Sequence, residues 1–230
     1  GYPDERCRQT LDPPLRPMRQ AGVRRGARRH ALLAGALAFG VALAVAAQGT
    51  PPVQVDVALD GETYVVRASA QLAVDQRVVW ETLTDYERLR EFVPGVTRAR
   101  VLARAGNELT IEQVGVFSVF FVDLPVQVRL AVQHTPYSLV AARMARSPVD
   151  TGESTLRSFT GRYGLTPIRV LHRSGVRLDY DARFELAQPL PPLVGSLFGV
   201  GAVRRTMREQ FEAMLREIER RHAYLAERGG

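Results

Sequence analysis

The sequence is short of the side chains that most often carry chemistry. It has 230 residues but one cysteine, one tryptophan, four histidines and no lysine, and aromatic residues make up only 7% of it. The cysteine is Cys7, so the rest of the chain has neither a disulfide nor a cysteine-ligated metal. His134, His172 and His222 have no second ligand three or four residues further on, so we predict no metal site and no cofactor.

The net charge of +7 is unevenly distributed along the chain. Eight of the 31 basic residues and three of the 24 acidic residues precede Gln48. The 23 basic and 21 acidic residues that remain are close to balance, which removes the charge argument for a nucleic-acid partner. We therefore predict no nucleic-acid partner.

The basic excess belongs to a segment with the pattern of a secretion signal. From Met18 the chain has a basic stretch, then the apolar run 31–47, and then Gln48. This run is shorter than the roughly 20 residues of a membrane-spanning helix. We predict a signal peptide at 18–47, cleaved near Ala46–Gln48, and an exported, periplasmic protein; a retained N-terminal membrane anchor is the alternative. Residues 1–17 are interpreted as a disordered leader or a mis-called start.

The next part of the chain is predicted to contain a strand and two short helices. Residues 48–62 are interpreted as a linker because they include turn-forming prolines. Tyr64–Val74 has strand character, and Asp75 is placed to cap a helix that runs to Leu83. A second short helix is predicted at Tyr86–Phe92.

From Val96 the apolar residues recur with a period of two, which predicts about six further strands. The clearest is Val176–Leu186, where apolar and charged residues alternate. A long amphipathic helix follows at Leu193–Glu227, and its wide apolar stripe favours packing on a sheet. Antiparallel strands covered on one face by helices define an α+β domain. A helix across a bent sheet leaves an apolar space that suits a ligand.

Two motifs carry a family resemblance. Val79–Leu89 (VWETLTDYERL) and Phe92–Val96 (FVPGV) resemble the first helical pair of the START-like (SRPBCC) superfamily. The similarity is greatest to its polyketide cyclase/dehydrase and coenzyme Q-binding branch, and it extends over most of a domain predicted at 63–225. The resemblance implies a helix-grip fold, in which a curved antiparallel sheet wraps around a long C-terminal helix. It also implies a deep pocket for lipids, quinones or polyketides.

Large side chains on the inward faces are predicted to line this pocket. The candidates are Trp80, Phe117, Phe121, Tyr163, Leu178, Tyr180, Phe184, Phe198, Met207 and Phe211. A buried tyrosine needs a hydrogen-bond partner, and for Tyr163 and Tyr180 this is protein, water or a ligand carbonyl. The apolar segment Val114–Val122 has two apolar faces, so a helix, a second chain, a membrane or the ligand covers the second face. No catalytic residue is assigned, because no acid, base and nucleophile occur in a recognisable pattern.

These features predict an exported binding or carrier protein that holds an apolar small molecule between the sheet and the C-terminal helix. The molecule would be a lipid, a quinone or a polyketide-like compound. Two alternatives stay open: an enzyme of the polyketide cyclase/dehydratase type, and an interaction module of the cell envelope. Transient membrane contact and the oligomeric state also stay open.

Overall fold

Eight antiparallel strands form one curved, open sheet in the parts of the chain that the computed structural model describes, residues 53–119, 122–145, 156–188 and 199–229. Their order across the sheet is β1-β2-β8-β7-β6-β5-β4-β3. The strands are β1 Gln54–Asp60, β2 Thr63–Leu72, β3 Val96–Ala105, β4 Glu108–Val119, β5 Val122–Thr135, β6 Leu139–Met144, β7 Leu156–Val170 and β8 Arg173–Leu186. The helices are α1 Gln76–Leu83, α2 Leu89–Phe92 and α3 Gly199–Gly229, with a single 3-10 turn at Tyr86–Arg88. This architecture confirms the predicted α+β helix-grip fold.

The alternation of β8 sets the two faces of the sheet. Val176, Leu178 and Phe184 are buried, whereas Arg177 and Arg183 between them are exposed. Because successive side chains of a strand point to opposite faces, one face of β8 belongs to the core and the other to solvent. This agrees with the pattern predicted for Val176–Leu186.

The connection between α1 and α2 places two neighbouring side chains in opposite directions. Asp75 caps α1 as predicted, because its Oδ1 accepts a hydrogen bond from the Arg77 amide at 2.7 Å. After α1 ends, the Asp85 carboxylate lies 2.9 Å from an Nη of Arg221 in α3. The next residue, Tyr86, is buried in the core. The turn therefore contacts α3 through Asp85 and the core through Tyr86.

The prediction of a linker over residues 48–62 is wrong for the segment that forms β1. Val55 and Val57 of β1 are buried, and the strand pairs with β2 over its whole length. Arg204 and Arg208 of α3 also donate hydrogen bonds to backbone carbonyls at Val57 and Val53. The folded part thus begins before residue 63 and continues to the end of α3, beyond residue 225. The predicted helix residues 193–198 lie outside the described residues.

The apolar stripe of α3 packs on the sheet. Its buried side chains recur at three- and four-residue steps, and they include Val203, Phe211, Met214, Leu215 and Ile218. Full burial of each such side chain stabilises the fold by about 1.5–3 kcal/mol. No helix in the described ranges is both long and apolar enough to span a membrane.

A pair of glycines allows the loop before β3 to lie against β4. Gly95 has a positive φ of 82°, and its carbonyl accepts a hydrogen bond from the Val116 amide at 2.8 Å. A Cβ on Gly115 would lie only 2.1 Å from the Gly95 oxygen. Only glycine at position 115 permits this approach. Both glycines line the cavity between the sheet and α3.

Candidate functional site: an apolar cavity

A cavity of about 230 Å³ lies between the sheet, α3 and the end of α1. Its lining comes from the six strands β3–β8 and from all three helices, and it is dominated by aliphatic and aromatic side chains. An engineered cavity of about 150 Å³ accommodates benzene, and drug-sized ligands occupy about 300–1,000 Å³. The space therefore suits a small apolar molecule larger than one ring.

Small residues on neighbouring strands create this space. Ala182, Gly161, Ala142 and Val132 pair in register across β8, β7, β6 and β5, so they form one row on one face of the sheet. We call these four residues the small row. The short side chains of this row leave room between the sheet and α3, and the Phe159 ring takes the part of it that lies over Gly161.

Aromatic side chains border the small row on the side toward the N-terminal end of α3. Phe159 and Phe184 are cross-strand partners, and Phe117 contacts the Phe184 ring edge-on with centroids 6.0 Å apart. Phe184 also stacks on Tyr64 at 5.2 Å. The three phenylalanine rings form an apolar end wall for the cavity, and Tyr64 lies behind Phe184 without lining the space.

Tyrosines border the small row on the opposite side. Tyr180, Tyr163, Val140 and His134 pair in register across the same four strands and face the same way. The rings of Tyr163 and Tyr180 stack with centroids 4.5 Å apart. Both rings lie deep in the fold, yet both line the cavity.

Both phenol groups stay protonated at neutral pH. Burial raises the pKa of Tyr180, and burial followed by the neighbouring Tyr180 and Tyr86 raises the pKa of Tyr163 well above its usual value. Within the described residues, no side chain or backbone group hydrogen-bonds either hydroxyl, and neither hydroxyl is sealed from the open space. Two tyrosines that line the cavity therefore carry O–H donors without a protein partner in the described residues.

His134 ends this row and is paired with Tyr86. The Tyr86 hydroxyl and the His134 Nε2 are 2.6 Å apart, and both residues are buried. Burial, and then the charge of Arg104, lower the pKa of His134, while burial raises the pKa of Tyr86. Both groups are neutral near pH 7, so the contact is a hydroxyl–imidazole hydrogen bond.

The rest of the polar lining is uncharged. Gln113 lines the cavity from β4, and Gln210 lines it from α3 while donating a hydrogen bond to the Pro94 carbonyl at 3.0 Å. None of the described residues that line the cavity carries a charge. In the same part of the chain no group of three or more His, Cys, Asp or Glu side chains is arranged to hold a metal.

Five of the residues predicted from the sequence line this cavity. They are Phe117, Tyr163, Tyr180, Phe184 and Met207. Phe121 and Phe198 lie outside the described residues.

Three predicted residues lie elsewhere. Leu178 and Phe211 are fully packed in the core and do not reach the cavity surface. Trp80 is half-buried on α1, where its ring contacts His134 and Tyr137 with centroids 5.2 and 5.6 Å away. Leu178 shares a face with Tyr180, but it lies one step further along β8, beyond the end of the cavity. The correct face is therefore not sufficient to place a side chain in the lining.

Other residues that line the cavity were not predicted from the sequence. Tyr86, Gln113, Phe159, Gln210 and Met214 all border the cavity. Tyr86 lies inside the resemblance motif, so its position was the available signal. The two glutamines occur in amphipathic segments, where a polar residue is normally taken to face solvent.

The comparisons with known proteins agree with this geometry. The family model described as "Polyketide cyclase / dehydrase and lipid transport" matches residues 72–212. The fold and the apolar cavity thus define a helix-grip protein of the START-like class. The chain belongs to the polyketide cyclase/dehydrase and lipid transport family, as the motif near Tyr86 predicted. A search of curated proteins gives no significant match.

Solved structures share the fold at low sequence identity. The Zhui aromatase/cyclase from Streptomyces sp. R1128 superposes with a TM-score of 0.55 and 16% identity, over 69% of this chain and 95% of that one. A STAR-related lipid transfer protein from Xanthomonas axonopodis gives a TM-score of 0.51 and 15% identity, over 72% and 98% of the two chains. At these identities the likeness shows the fold alone. The family itself points to binding of hydrophobic molecules or to cyclase-like activity.

Proposed function

We propose that this chain binds and carries an apolar small molecule in the cavity between the sheet and α3. The observation that carries the proposal is the cavity of about 230 Å³, which is lined by apolar and uncharged side chains in the described residues. Moving apolar surface from water into such a site contributes about 25 cal/mol per Å². Lipids, quinones and polyketide-like compounds are the ligand classes that fit this description.

A pair of variants on β6 tests the site. Ala142 belongs to the small row and lines the cavity, whereas Ala141 next to it points to the other face of the sheet. Ala142→Leu should fill the space and weaken binding of the neutral fluorescent probe N-phenyl-1-naphthylamine at least tenfold. The matched variant Ala141→Leu should bind the probe as the wild type does. Equal probe binding by both variants, with unchanged thermal stability, would place the ligand outside this cavity.

We propose further that the protein is exported. The basic stretch after Met18, the apolar run 31–47 and the small residues before Gln48 support this. N-terminal sequencing of the protein isolated from its own host should find a mature chain that starts near Gln48, in the periplasmic fraction. An intact chain in the membrane fraction would favour the anchor, and an intact chain in the cytosol would refute export.

An enzyme of the cyclase or dehydratase type is the second candidate. The pair of Tyr86 and His134 favours it, because a neutral imidazole beside a cavity is able to accept a proton. Incubation with polyketide-like thioesters would then give a cyclised or dehydrated product, and His134→Gln would abolish it while keeping probe binding. Absence of turnover in the wild type, with intact probe binding, would leave the carrier function alone.

A further inference from the structure

The cavity has two chemically different sides, and together they restrict the ligand. The small row lies in the middle, with phenylalanines on one side and the stacked Tyr163 and Tyr180 on the other. A molecule that fills the cavity must therefore place an apolar body over the small row. The end of the molecule that points away from the phenylalanines then lies beside Tyr163 and Tyr180.

The tyrosine hydroxyls need an acceptor. Both tyrosines line the cavity, and in the described part of the chain neither hydroxyl has a hydrogen-bond partner. Tyr86, the third tyrosine at this end, is already paired with His134 at 2.6 Å. A ligand that covers these hydroxyls and offers no acceptor leaves two buried donors unpaired, which is unfavourable, so a ligand that supplies an oxygen acceptor here avoids that cost.

The charge of the lining restricts the ligand further. The described lining residues include tyrosines and glutamines but no arginine or other charged group. A carboxylate or phosphate moved into such a cavity would lose its hydration without gaining a counter-ion, which is strongly unfavourable. A ketone, quinone or ester oxygen accepts hydrogen bonds without carrying this penalty.

We propose that the ligand of this cavity is an uncharged apolar molecule whose carbonyl oxygen accepts hydrogen bonds from the hydroxyls of Tyr163 and Tyr180. This inference rests on the proposed binding function of the same cavity, and it adds the ligand's charge, its polar group and its orientation. Anionic lipids and free fatty acids are excluded from the interior as ionised species.

Three probes of similar size and shape test the proposal. They are 2-acetylnaphthalene, which has a carbonyl, 2-ethylnaphthalene, which lacks it, and 2-naphthoate, which is ionised at pH 8. Binding of each to the full chain is measured by calorimetry at pH 8. The variants are Tyr163→Phe and Tyr180→Phe, which remove only an unpaired hydroxyl. The control is Tyr64→Phe, because Tyr64 is buried in the same sheet and does not line the cavity.

Each of the two cavity variants should weaken binding of 2-acetylnaphthalene about three- to tenfold, as expected for one neutral hydrogen bond. Binding of 2-ethylnaphthalene should not weaken in either cavity variant, because the hydroxyl that it leaves unpaired is removed. The Tyr64→Phe control should leave the binding of both probes unchanged. The wild type should bind 2-naphthoate at least tenfold more weakly than 2-acetylnaphthalene. The infrared carbonyl stretch of bound 2-acetylnaphthalene should lie below its value in hexane and move back toward it in the variants.

The possible results distinguish this inference about the ligand from the proposed binding function. If the naphthalenes bind but neither tyrosine variant affects the ketone or its carbonyl stretch, the inference is overturned and the carrier function stands. The same holds if 2-naphthoate binds as tightly as the ketone. If none of the three probes binds, the proposed function fails, and this inference fails with it.

Discussion

Tyr86 and His134 show what a residue pattern predicts and what it misses. The sequence placed His134 at the end of a strand and Tyr86 inside the family motif, and both placements agree with the structure. Their hydrogen bond joins residues 48 positions apart. Such a pair depends on the tertiary fold, so neither residue's neighbours in the sequence could indicate it.

Because His134 is buried beside Tyr86, we expect the stability of the folded state to depend on pH. Burial and Arg104 hold the pKa of His134 below its ordinary value of 6.5, so the folded state binds a proton less readily than the unfolded state. Stability from this group is present above pH 6.5 and is lost as the pH falls below it. We predict that the wild-type Tm decreases between pH 7 and pH 5 more steeply than that of His134→Gln. Parallel Tm curves for the two proteins would show that the imidazole does not titrate in this way.

Glu217 is a buried carboxylate that is stabilised by two neighbouring arginines. Its carboxylate accepts hydrogen bonds from Arg220 and Arg221, each at 2.7 Å, and Arg221 also contacts Asp85 at 2.9 Å. The bonds from Arg220, and then those from Arg221, lower the pKa of Glu217 to about 2, against the opposing effect of burial. The folded pKa is depressed, so this stabilisation is complete above about pH 4.5 and is lost as the pH falls toward 2.

We predict that Glu217→Gln lowers the free energy of unfolding by about 1–3 kcal/mol at pH 7. The difference from the wild type should shrink as the pH is lowered to 3. Urea denaturation at the two pH values measures both quantities. Glu219→Gln on the same helix is the control, because Glu219 makes no ion pair with the described residues. A loss at pH 7 that is equal in the two variants would contradict the assigned role of Glu217.

At the scale of elements, strands with a full alternating pattern were predicted well and the edge strand β1 was not. β8 has neighbours on both sides, and its apolar and charged residues alternate from Val176 to Leu186, so its pattern is strong. β1 is an edge strand with only Val55 and Val57 buried, and two prolines precede it. Its stability comes from pairing with β2 and from arginines of α3, which are contacts that its own sequence does not reveal.

The contact of the β3 loop with β4 gives a prediction at this scale. Gly115→Ala would put a Cβ 2.1 Å from the Gly95 carbonyl oxygen, a backbone atom that cannot move without breaking its bond to Val116. We expect a loss of about 2 kcal/mol or more in unfolding free energy. Gly164→Ala in β7 is the matched control, because a Cβ there meets nothing within 4 Å.

Denaturation of both glycine variants gives the comparison. Gly164→Ala should change stability by less than about 1 kcal/mol. If Gly115→Ala is as stable as Gly164→Ala, then the loop does not need the close approach that the structure shows.

At the scale of the whole molecule, the order of elements predicted an α+β domain with a space between sheet and helix, and the family resemblance was needed to predict the helix-grip fold. The exact lining was not predictable, because alternation assigns a side chain to a face but not to a position along the helix that covers it. Leu178 and Tyr180 share a face, yet only Tyr180 lines the cavity. The space itself comes from the small row, whose members are adjacent only after four strands have paired.

Four aromatic side chains are concentrated beside the cavity. Tyr163, Tyr180, Phe159 and Phe184 lie on two paired strands, on either side of Gly161. The Phe159 ring also leans over Gly161, where an added Cβ would lie 2.8 Å from a ring carbon. A side chain at position 161 would therefore push this ring out of its place, so the shape of the cavity depends on residue size and not on the fold alone.

The central claim is that this cavity holds a neutral apolar molecule, and a crystal structure of the protein with 2-acetylnaphthalene tests it most directly. We expect density for the naphthalene rings over Ala142 and beside Phe159, with the carbonyl oxygen within hydrogen-bond distance of the Tyr163 or Tyr180 hydroxyl. Density for the probe only on the outer surface, with the space between the sheet and α3 empty or closed, would contradict it.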